Sequence, residues 1–431
     1  MSKFMKAPRR KRRLSSSVTG LLASVWAACV FLPPAATAAT TSPRGIYTVK
    51  VAGKPEGASQ ARTYLGIQLL PSARFMGIVS AVNGNAFSVA NLGSHSVLAQ
   101  PGRQFYVHVL DGNGKGFTAD IEQFRSTDFL CSEALSNWMS PGTRILIRPH
   151  STIADLFGTA NRFGLTAAAS AAQADNVVVW DPATQQEKVY YFHSGRSRWE
   201  EKDTNADASG EIIRFPLGFY IIRRSPGTLW MVLSGDVAAE SVLLPVRPGA
   251  NVFSLPVNLS ASLDEWVTSS GDHAVIAGRN ANRADLLTFE EPSTGNQKGP
   301  FYRSVETSGG AWREVGVNDS SGAATRLDFL STLTLRRHGA PGYVLVNGSL
   351  EPGSTPPPPL EPEPGEPALT GEFPLPPSMP PGLLMTVEVS TDLQAWSPHE
   401  QVVYNGSGTL TFSLPAGLRR GFYRLNVTTT D

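Results

Sequence analysis

Val177-Val178-Val179-Trp180-Asp181-Pro182 and Leu286-Leu287-Thr288-Phe289-Glu290-Glu291-Pro292 stand about 110 residues apart, and each is a short apolar run ending in a turn signal. Runs of this length, rich in β-branched and aromatic side chains and closed by an acid and proline, read as strands entering turns. What flanks them recurs in the same order. Before the first, Arg144-Ile-Leu-Ile-Arg reads as a strand. Ser151-Thr-Ile-Ala-Asp-Leu-Phe then reads as a short helix, with Ile153, Leu156 and Phe157 at i, i+3, i+4 behind a Thr/Asp cap. Before the second, Asn251-Val-Phe-Ser-Leu precedes Ser262-Leu-Asp-Glu-Trp-Val, which puts Leu263, Trp266 and Val267 at the same offsets behind Ser262 and Glu265. Downstream, Tyr190-Tyr191-Phe192 matches Phe301-Tyr302, while Trp199 lies 24 residues before Arg223 and Trp312 lies 24 before Arg336. Each Arg pair, Arg223-Arg224 and Arg336-Arg337, is followed 11 residues later by a glycine, Gly235 or Gly348. These spacings predict two similar β-rich repeats, 144–240 and 247–350, each a strand, a short helix and several further strands.

Outward from the repeats, residues 44–140 read as an N-terminal β module. Phe75-Met-Gly-Ile-Val-Ser-Ala-Val, the turn Asn83-Gly84-Asn85 and Ala86-Phe-Ser-Val predict a hairpin, since alternating runs around Asn-Gly are the strongest short hairpin signal. Residues 351–381, with Pro356 to Pro359 in succession, favour extended polyproline II and read as a linker. Beyond it, 383–427 reads as a small β unit, a length that buries little apolar surface by itself. The predicted class is therefore mainly all-β: tandem barrel- or sandwich-like modules, a short helix in each of two internal repeats, and a small C-terminal β unit. A chain of 431 residues is expected to divide among several cores, and 40 Gly, 33 Pro and 17% charged residues exclude a coiled coil.

The formal charge of +1 conceals an asymmetry. Residues 1–38 hold seven of the 37 basic residues (Lys3, Lys6, Arg9, Arg10, Lys11, Arg12, Arg13) and no acid, so the rest carries 30 basic against 36 acidic residues, net −6. A mildly acidic chain with no basic stripe lacks what a phosphate backbone selects, so nucleic acid is not an expected partner. The same 38 residues read as a secretory signal peptide: a basic region to Arg13, an apolar stretch from Val18 to Leu32, Pro33-Pro34, then Ala36-Thr37-Ala38 with cleavage after Ala38. That stretch is shorter than the ~20 residues a permanent span needs, so no transmembrane anchor is expected after cleavage, and an extracytoplasmic location is. A rival reading, a lipobox at Trp26-Ala27-Ala28-Cys29, puts Trp where the pattern has an aliphatic residue. Cys131 has no basic or His neighbour along the chain and reads as a buried inert thiol.

Residues from about 44 to 350 resemble a family of uncharacterised exported β-rich bacterial proteins. The resemblance is carried by Pro149-His-Ser-Thr-Ile-Ala-Asp-Leu-Phe-Gly, the Trp180-Asp-Pro turn, the Tyr-Tyr, Trp, Arg-Arg order and Asn251-Val-Phe-Ser-Leu-Pro-Val. It implies export and β architecture, and it brings no catalytic residues. The tail, through Val387-Glu-Val-Ser-Thr-Asp-Leu-Gln-Ala-Trp396 and Gly421-Phe-Tyr-Arg-Leu, resembles small β-sandwich accessory modules, which implies attachment, spacing or weak binding.

The seven histidines are scattered, with no two at i, i+2 or i, i+4, so neither a metal centre nor a cofactor is expected. Two loops space oxygen side chains as a calcium loop would: Asp111-Gly-Asn113-Gly-Lys115-Gly116 with Glu122 at the twelfth place, and Asp203-Thr-Asn205-Ala-Asp207. Lys115 stands where the first needs a carboxylate, and both read foremost as turns. No nucleophile elbow or phosphate loop is present, and Glu200-Glu201 and Glu290-Glu291 are strand neighbours that point to opposite faces and cannot flank one bond. No catalytic residue is named. Trp180, Tyr190, Tyr191, Trp199 and Trp230, with Tyr302, Trp312 and Tyr343, are either core or stacking platforms. Trp199, Arg223, Arg224, Trp312, Arg336 and Arg337 are the ligand-binding candidates, since guanidinium groups beside indoles suit a carboxylate or sulfate on a polysaccharide; an internal ion pair or cation–π stack is the preferred reading. The expected function is an exported non-catalytic protein, structural at the cell surface or binding an extracellular polysaccharide or other surface component. The alternative is an exported hydrolase acting on a polymer.

Overall fold

Strands form where the β-branched and aromatic runs meet turn residues. The computed structural model describes residues 39–40, 43–90, 98, 102–125, 128–237, 241–254, 262–267, 273–291, 296–305, 311–317, 325, 332–346, 369–374, 384–391, 395–404, 409–415 and 420–428. The segment read as a signal peptide, with Cys29 and Ala38, together with Gly348 and the Pro-rich stretch up to residue 368, lies outside the described residues.

β1 (Ala39–Thr40), β2 (Arg44–Val51), β3 (Ala61–Gly66) and β4 (Leu69–Leu70) come first. β5 (Phe75–Asn83), β6 (Ala86–Val89), β7 (Phe105–Val109), β8 (Thr118–Phe124), β9 (Phe129–Cys131) and β10 (Arg144–Pro149) then close an antiparallel barrel in the order β10-β5-β6-β9-β8-β7. The hairpin at Asn83 is tight: Asn83 pairs with Ala86, and Gly84 takes φ +62, which costs glycine nothing. Phe105, Val107, Ala119, Ile121, Ile145 and Ile147 alternate into the barrel interior. Tyr106, His108 and Arg148 alternate outward and are buried too, so β7 is enclosed on both faces.

β11 (Ser151–Thr152) leads into α1 (Ile153–Phe157), whose capping box is complete: Thr152 Oγ1 accepts from the Asp155 N–H at 3.1 Å, and Asp155 Oδ2 accepts from the Thr152 N–H at 2.8 Å. β12 (Asn176–Asp181), β13 (Gln186–His193), β14 (Arg198–Glu201), β15 (Ile212–Ile213), β16 (Gly218–Arg223) and β17 (Leu229–Val237) follow. β18 (Val242–Val246), β19 (Gly249–Ser254), α2 (Leu263–Trp266), β20 (Leu286–Glu291), β21 (Asn296–Arg303), β22 (Trp312–Glu314), β23 (Thr332–Arg337) and β24 (Gly342–Val346) make a second series. The tail adds β25 (Thr370–Pro374), β26 (Leu384–Ser390), β27 (Ser397–Val403), β28 (Thr409–Ser413) and β29 (Arg420–Thr428). The fold is all-β, with its two named α-helices each little more than one turn.

Two sheets share one plan. The orders β14-β13-β12-β16-β3 and β22-β21-β20-β23-β19 correspond strand for strand, α1 and α2 precede β12 and β20, and β2 pairs with β17 as β18 pairs with β24. The strand in the place of β19 is thus β3. Arg144-Ile-Leu-Ile-Arg, read from sequence as the head of the first repeat, is β10, which pairs with β5 and β7 and closes the barrel. Residues 44–66, read as part of a separate module, supply β2 and β3 to the first half, and the barrel is inserted between β4 and α1.

One apolar core runs through both halves, joining Val177, Tyr190, Trp199 and Phe219 to Phe253, Leu287, Phe289 and Trp312, where separate cores were expected. The tail is not self-sufficient either. β29 adds to β2, giving the order β27-β26-β29-β2-β17-β4, and Ile46 of β2 joins Phe373, Met385, Phe412 and Tyr423 in its core. A segment this short gains enough buried surface only by extending a larger sheet. β25, within the residues read as linker, pairs with β28 and buries Phe373. Among the described residues no helix is long and apolar enough to cross a membrane.

Candidate functional site

Two buried carboxylates organise the matched sheets. Asp175 Oδ1 accepts from the Arg224 N–H (2.6 Å) and Oδ2 from the Thr166 N–H (2.8 Å), with Arg223 Nε 2.8 Å from Oδ2. Asp285 Oδ1 accepts from the His338 N–H (3.0 Å), and Oδ2 from the Ile276 N–H (2.9 Å) and Arg337 Nη1 (2.6 Å). Both carboxylates are fully enclosed, which is tolerable only with such partners. Arg223 therefore corresponds to Arg337, and Arg224 to His338, one residue off the match that the equal Trp-to-Arg spacings suggest. Arg224 Nη1 donates to Asn176 Oδ1 at 2.7 Å, while Arg336 is exposed. Trp199 and Trp312 are wholly buried, Trp199 Nε1 donating to the Gly158 carbonyl at 2.8 Å and Trp312 Nε1 finding no partner among the described residues. The six candidates are not gathered into one surface: Trp199, Arg223 and Arg224 belong to one sheet, Trp312 and Arg337 to the other, and Arg336 faces outward. The signal for their real partners was present as Ala174-Asp175 and Ala284-Asp285, at the 110-residue offset of the strands.

The calcium candidates do not converge. Asp111 Oδ2 accepts from Arg144 Nε at 2.6 Å and Oδ1 from the Arg144 N–H at 2.9 Å, which holds its carboxyl below the usual range. Asn113 lies exposed in a single 3-10 turn, and Glu122 is exposed on the strand β8. Asp207 accepts from the Ser209 N–H at 2.9 Å, Asn205 takes φ +54 beside the Tyr191 hydroxyl, and Asp203 is exposed. Among the described residues no three His, Cys, Asp or Glu side chains are grouped to hold a metal. Cys131 is fully buried, and burial pushes its thiol up to about 12.

The place where the barrel and both halves meet is a cleft of about 350 Å³. The barrel contributes Asp120 from β8 and Glu133 after β9. The first half contributes Trp180 and Asp181 at the end of β12, Lys188 and Tyr190 from β13, and Glu211 and Arg214 beside β15; the second contributes Pro245, Arg247 and Tyr343. The Val177–Tyr190 pair turns Tyr190 toward the core. Trp180 Nε1 donates to the Ala250 carbonyl of β19 at 2.8 Å, so the indole ties the two halves together at the cleft's edge. Asp181 Oδ1 accepts from the Ala183 N–H at 2.9 Å and closes its own turn. Asp120 is held from two sides, Oδ1 at 2.9 Å from His150 Nε2 and Oδ2 accepting from Arg214 Nε at 2.8 Å. His150 is 2% exposed and packs on Tyr106 with ring centroids 4.8 Å apart, so it supports Asp120 from behind and does not face the opening.

Burial opposes the charge on Asp120, but hydrogen bonds and charge from His150 and Arg214 outweigh it and hold the carboxyl at about 2. Burial also opposes Asp181, and the Ala183 and Thr184 N–H groups win, keeping it below the usual range. Burial raises the Tyr190 phenol. The cleft therefore presents fixed carboxylates beside Lys188, Arg214 and Arg247, with Trp180 and Tyr343 partly exposed among them. Of the aromatic candidates read from sequence, Trp180, Tyr190 and Tyr343 meet here. Asp120, Arg214 and Arg247 carry no local motif and are brought in from distant strands. Set against known proteins, the chain matches no family model, no curated protein and no solved structure.

Proposed function

We propose that this chain is an exported, non-catalytic binding protein of the cell surface or its surroundings, and that the cleft between barrel and halves holds a segment of an extracellular polysaccharide. One observation carries the reading: partly exposed Trp180 and Tyr343 line the same 350 Å³ cleft as fixed carboxylates and cationic side chains. A sugar ring offers an apolar face to an aromatic ring and hydroxyls that both donate and accept, which is what this lining complements. Export rests on the signal segment, and the shared strand plan is consistent with internal duplication of one module. A glycan array followed by calorimetry tests the binding. The exposed-residue changes Lys188→Ala and Glu211→Ala are expected to weaken the best glycan about tenfold, as loss of a charged hydrogen-bonding partner does. A protein silent on the array, or a hit that neither change affects, removes the reading. Mass spectrometry of the protein recovered from the producing cell is expected to find an N-terminus at Ala39.

The four carboxylates of the cleft, Asp120, Glu133, Asp181 and Glu211, favour a second reading, an exported hydrolase acting on a polymer. Its weakness is electrostatic: a general acid needs a raised pKa, and Asp120 and Asp181 are lowered. Polymer turnover that Glu211→Gln abolishes would establish it.

A further inference from the structure

The charged side chains of the cleft fall into two classes. Asp120, Arg214 and Asp181 are engaged within the protein, Asp120 with Arg214 Nε and His150 Nε2, and Asp181 with its own turn. Lys188, Glu211, Glu133 and Arg247 are exposed, and among the described residues none of their side chains has a hydrogen-bond or ion-pair partner. Strand alternation turns them to the opening. Val179 pairs with Lys188 and Val177 with Tyr190, so Lys188 and Tyr190 share the sheet face of Val179 and Asp181, and all four of these line the cleft except Val177 beneath them. On the second half's wall, Pro245 of β18 pairs with Tyr343 of β24, and Arg247 follows two residues on. Its backbone is fixed: the Arg247 N–H donates to Asn251 Oδ1 and its carbonyl accepts from Asn251 Nδ2, both at 2.8 Å, with Asn251 fully buried. The guanidinium therefore projects from a rigid base.

These four free charges come as one acid and one base on each wall. Burial raises the Tyr343 phenol, Glu133 raises it further and Arg247 lowers it, so that ring stands within reach of both charges. On the first half's wall Glu211 acts on Tyr190, which shares its strand face with Lys188. We infer that the cleft selects an uncharged glycan and holds two consecutive sugar residues, one beside Lys188, Glu211 and Trp180 and the next beside Glu133, Arg247 and Tyr343. This rests on the reading of the cleft as a polysaccharide site. A net charge on the ligand is attracted by one member of each pair and repelled by the other, so it gains little. A hydroxyl both donates and accepts, so a neutral sugar uses carboxylate and cation together. The 350 Å³ of the cleft lies near the small end of the ~300–1,000 Å³ range of ligand pockets, which suits a disaccharide-sized stretch.

The test presents the whole protein with an array of neutral, uronate, sulfated and amino glycans, followed by calorimetry on the best hit. That hit is expected to be neutral, and its affinity to change less than about twofold between about 50 and about 500 mM NaCl, since no net charge is exchanged. Its disaccharide is expected to bind at least about tenfold tighter than its monosaccharide, and Arg247→Ala to remove that advantage. Two exposed-residue changes unbalance the pairs. Glu133→Gln leaves Arg247 unopposed and is expected to raise affinity for tetragalacturonate at least about fivefold, and Lys188→Gln leaves Glu211 unopposed and does the same for tetraglucosamine. A charged best hit, a tenfold loss of affinity with salt, equal binding of monosaccharide and disaccharide, or charged tetramers that bind these two variants no better than the natural protein overturns the inference while leaving the cleft a polysaccharide site. Silence across the whole array overturns the polysaccharide reading, and the inference with it.

Discussion

The first half of the molecule carries a six-stranded barrel between β4 and α1, whereas the second passes from β19 to α2 through residues 255–262 alone. The shared plan survives because such an insertion only has to return the chain to where it left, and the entropic cost of a longer excursion grows slowly with its length. The barrel's outward face, Tyr106, His108 and Arg148, is then buried against the first half. There Arg148 Nη1 donates to Asp236 Oδ2 at 2.8 Å, and burial, with the nearby Arg148 charge, holds the His108 ring down to about 3. What the halves keep is the Asp–Arg contact and, on the far edge strand of each sheet, a fully buried indole. What they lose is the surface chemistry: Glu200, enclosed under Arg196 and Arg198 in the first half, corresponds to Arg313 in the second.

The largest expected effect tests the kept feature. Asp175→Ala and Asp285→Ala each strand a guanidinium and two backbone N–H groups in the interior, and each is expected to cost about 3–5 kcal/mol in urea unfolding followed by circular dichroism. A gap between them above about 2 kcal/mol would break the equivalence of the halves. Trp199→Phe and Trp312→Phe sharpen it. Both open a small void, but only the first also gives up a hydrogen bond, to the Gly158 carbonyl, so it is expected to lose about 1 kcal/mol more.

Positions 180 and 290 correspond, and each reaches the edge strand of the other half's sheet: Trp180 to the Ala250 carbonyl of β19, Glu290 to the Tyr64 backbone of β3. Burial raises the Glu290 carboxyl to about 7, against the Tyr64 hydrogen bond and the Arg62 charge. A carboxyl raised on folding contributes stability that is present below its unfolded value near 4.5 and is lost as pH rises through about 7. Because the group is only half-buried, solvent screening reduces the span to about 1 kcal/mol. The stability difference between the natural protein and Glu290→Gln is therefore expected to favour the natural protein by that much more at pH 4 than at pH 8, while Trp180→Phe costs the same at both. Equal pH profiles for Glu290→Gln and the natural protein would refute the assignment. The smallest effect tests register. Exposed Arg336→Ala is expected to shift stability by no more than ~0.5 kcal/mol, whereas Arg337→Ala, which bares Asp285, costs several-fold more; the reverse order would restore Arg336 as the partner of Arg223.

Much of this was legible along the chain. Short β-branched runs, the Asn83-Gly84 turn and the two capping boxes are local, and their alternation and cap chemistry identified an all-β chain with two brief helices before any contact was known. The 110-residue offset was legible for the same reason, since it compares one local pattern with another. Partner choice was not. A strand's alternation is identical whichever neighbour it pairs with, so Arg144-Ile-Leu-Ile-Arg reads alike as the edge of a repeat or the closing strand of a barrel, and the Arg spacing reads alike one residue out of register. Only the tertiary structure decided that β3 joins β16, that β29 extends β2, that Asp175 and Asp285 select their arginines, and that Asp120, Trp180 and Tyr343 line one cleft. These contacts join residues far apart in the chain, where hydrophobic burial and buried-charge pairing, rather than local backbone preference, set which arrangement has the lowest free energy.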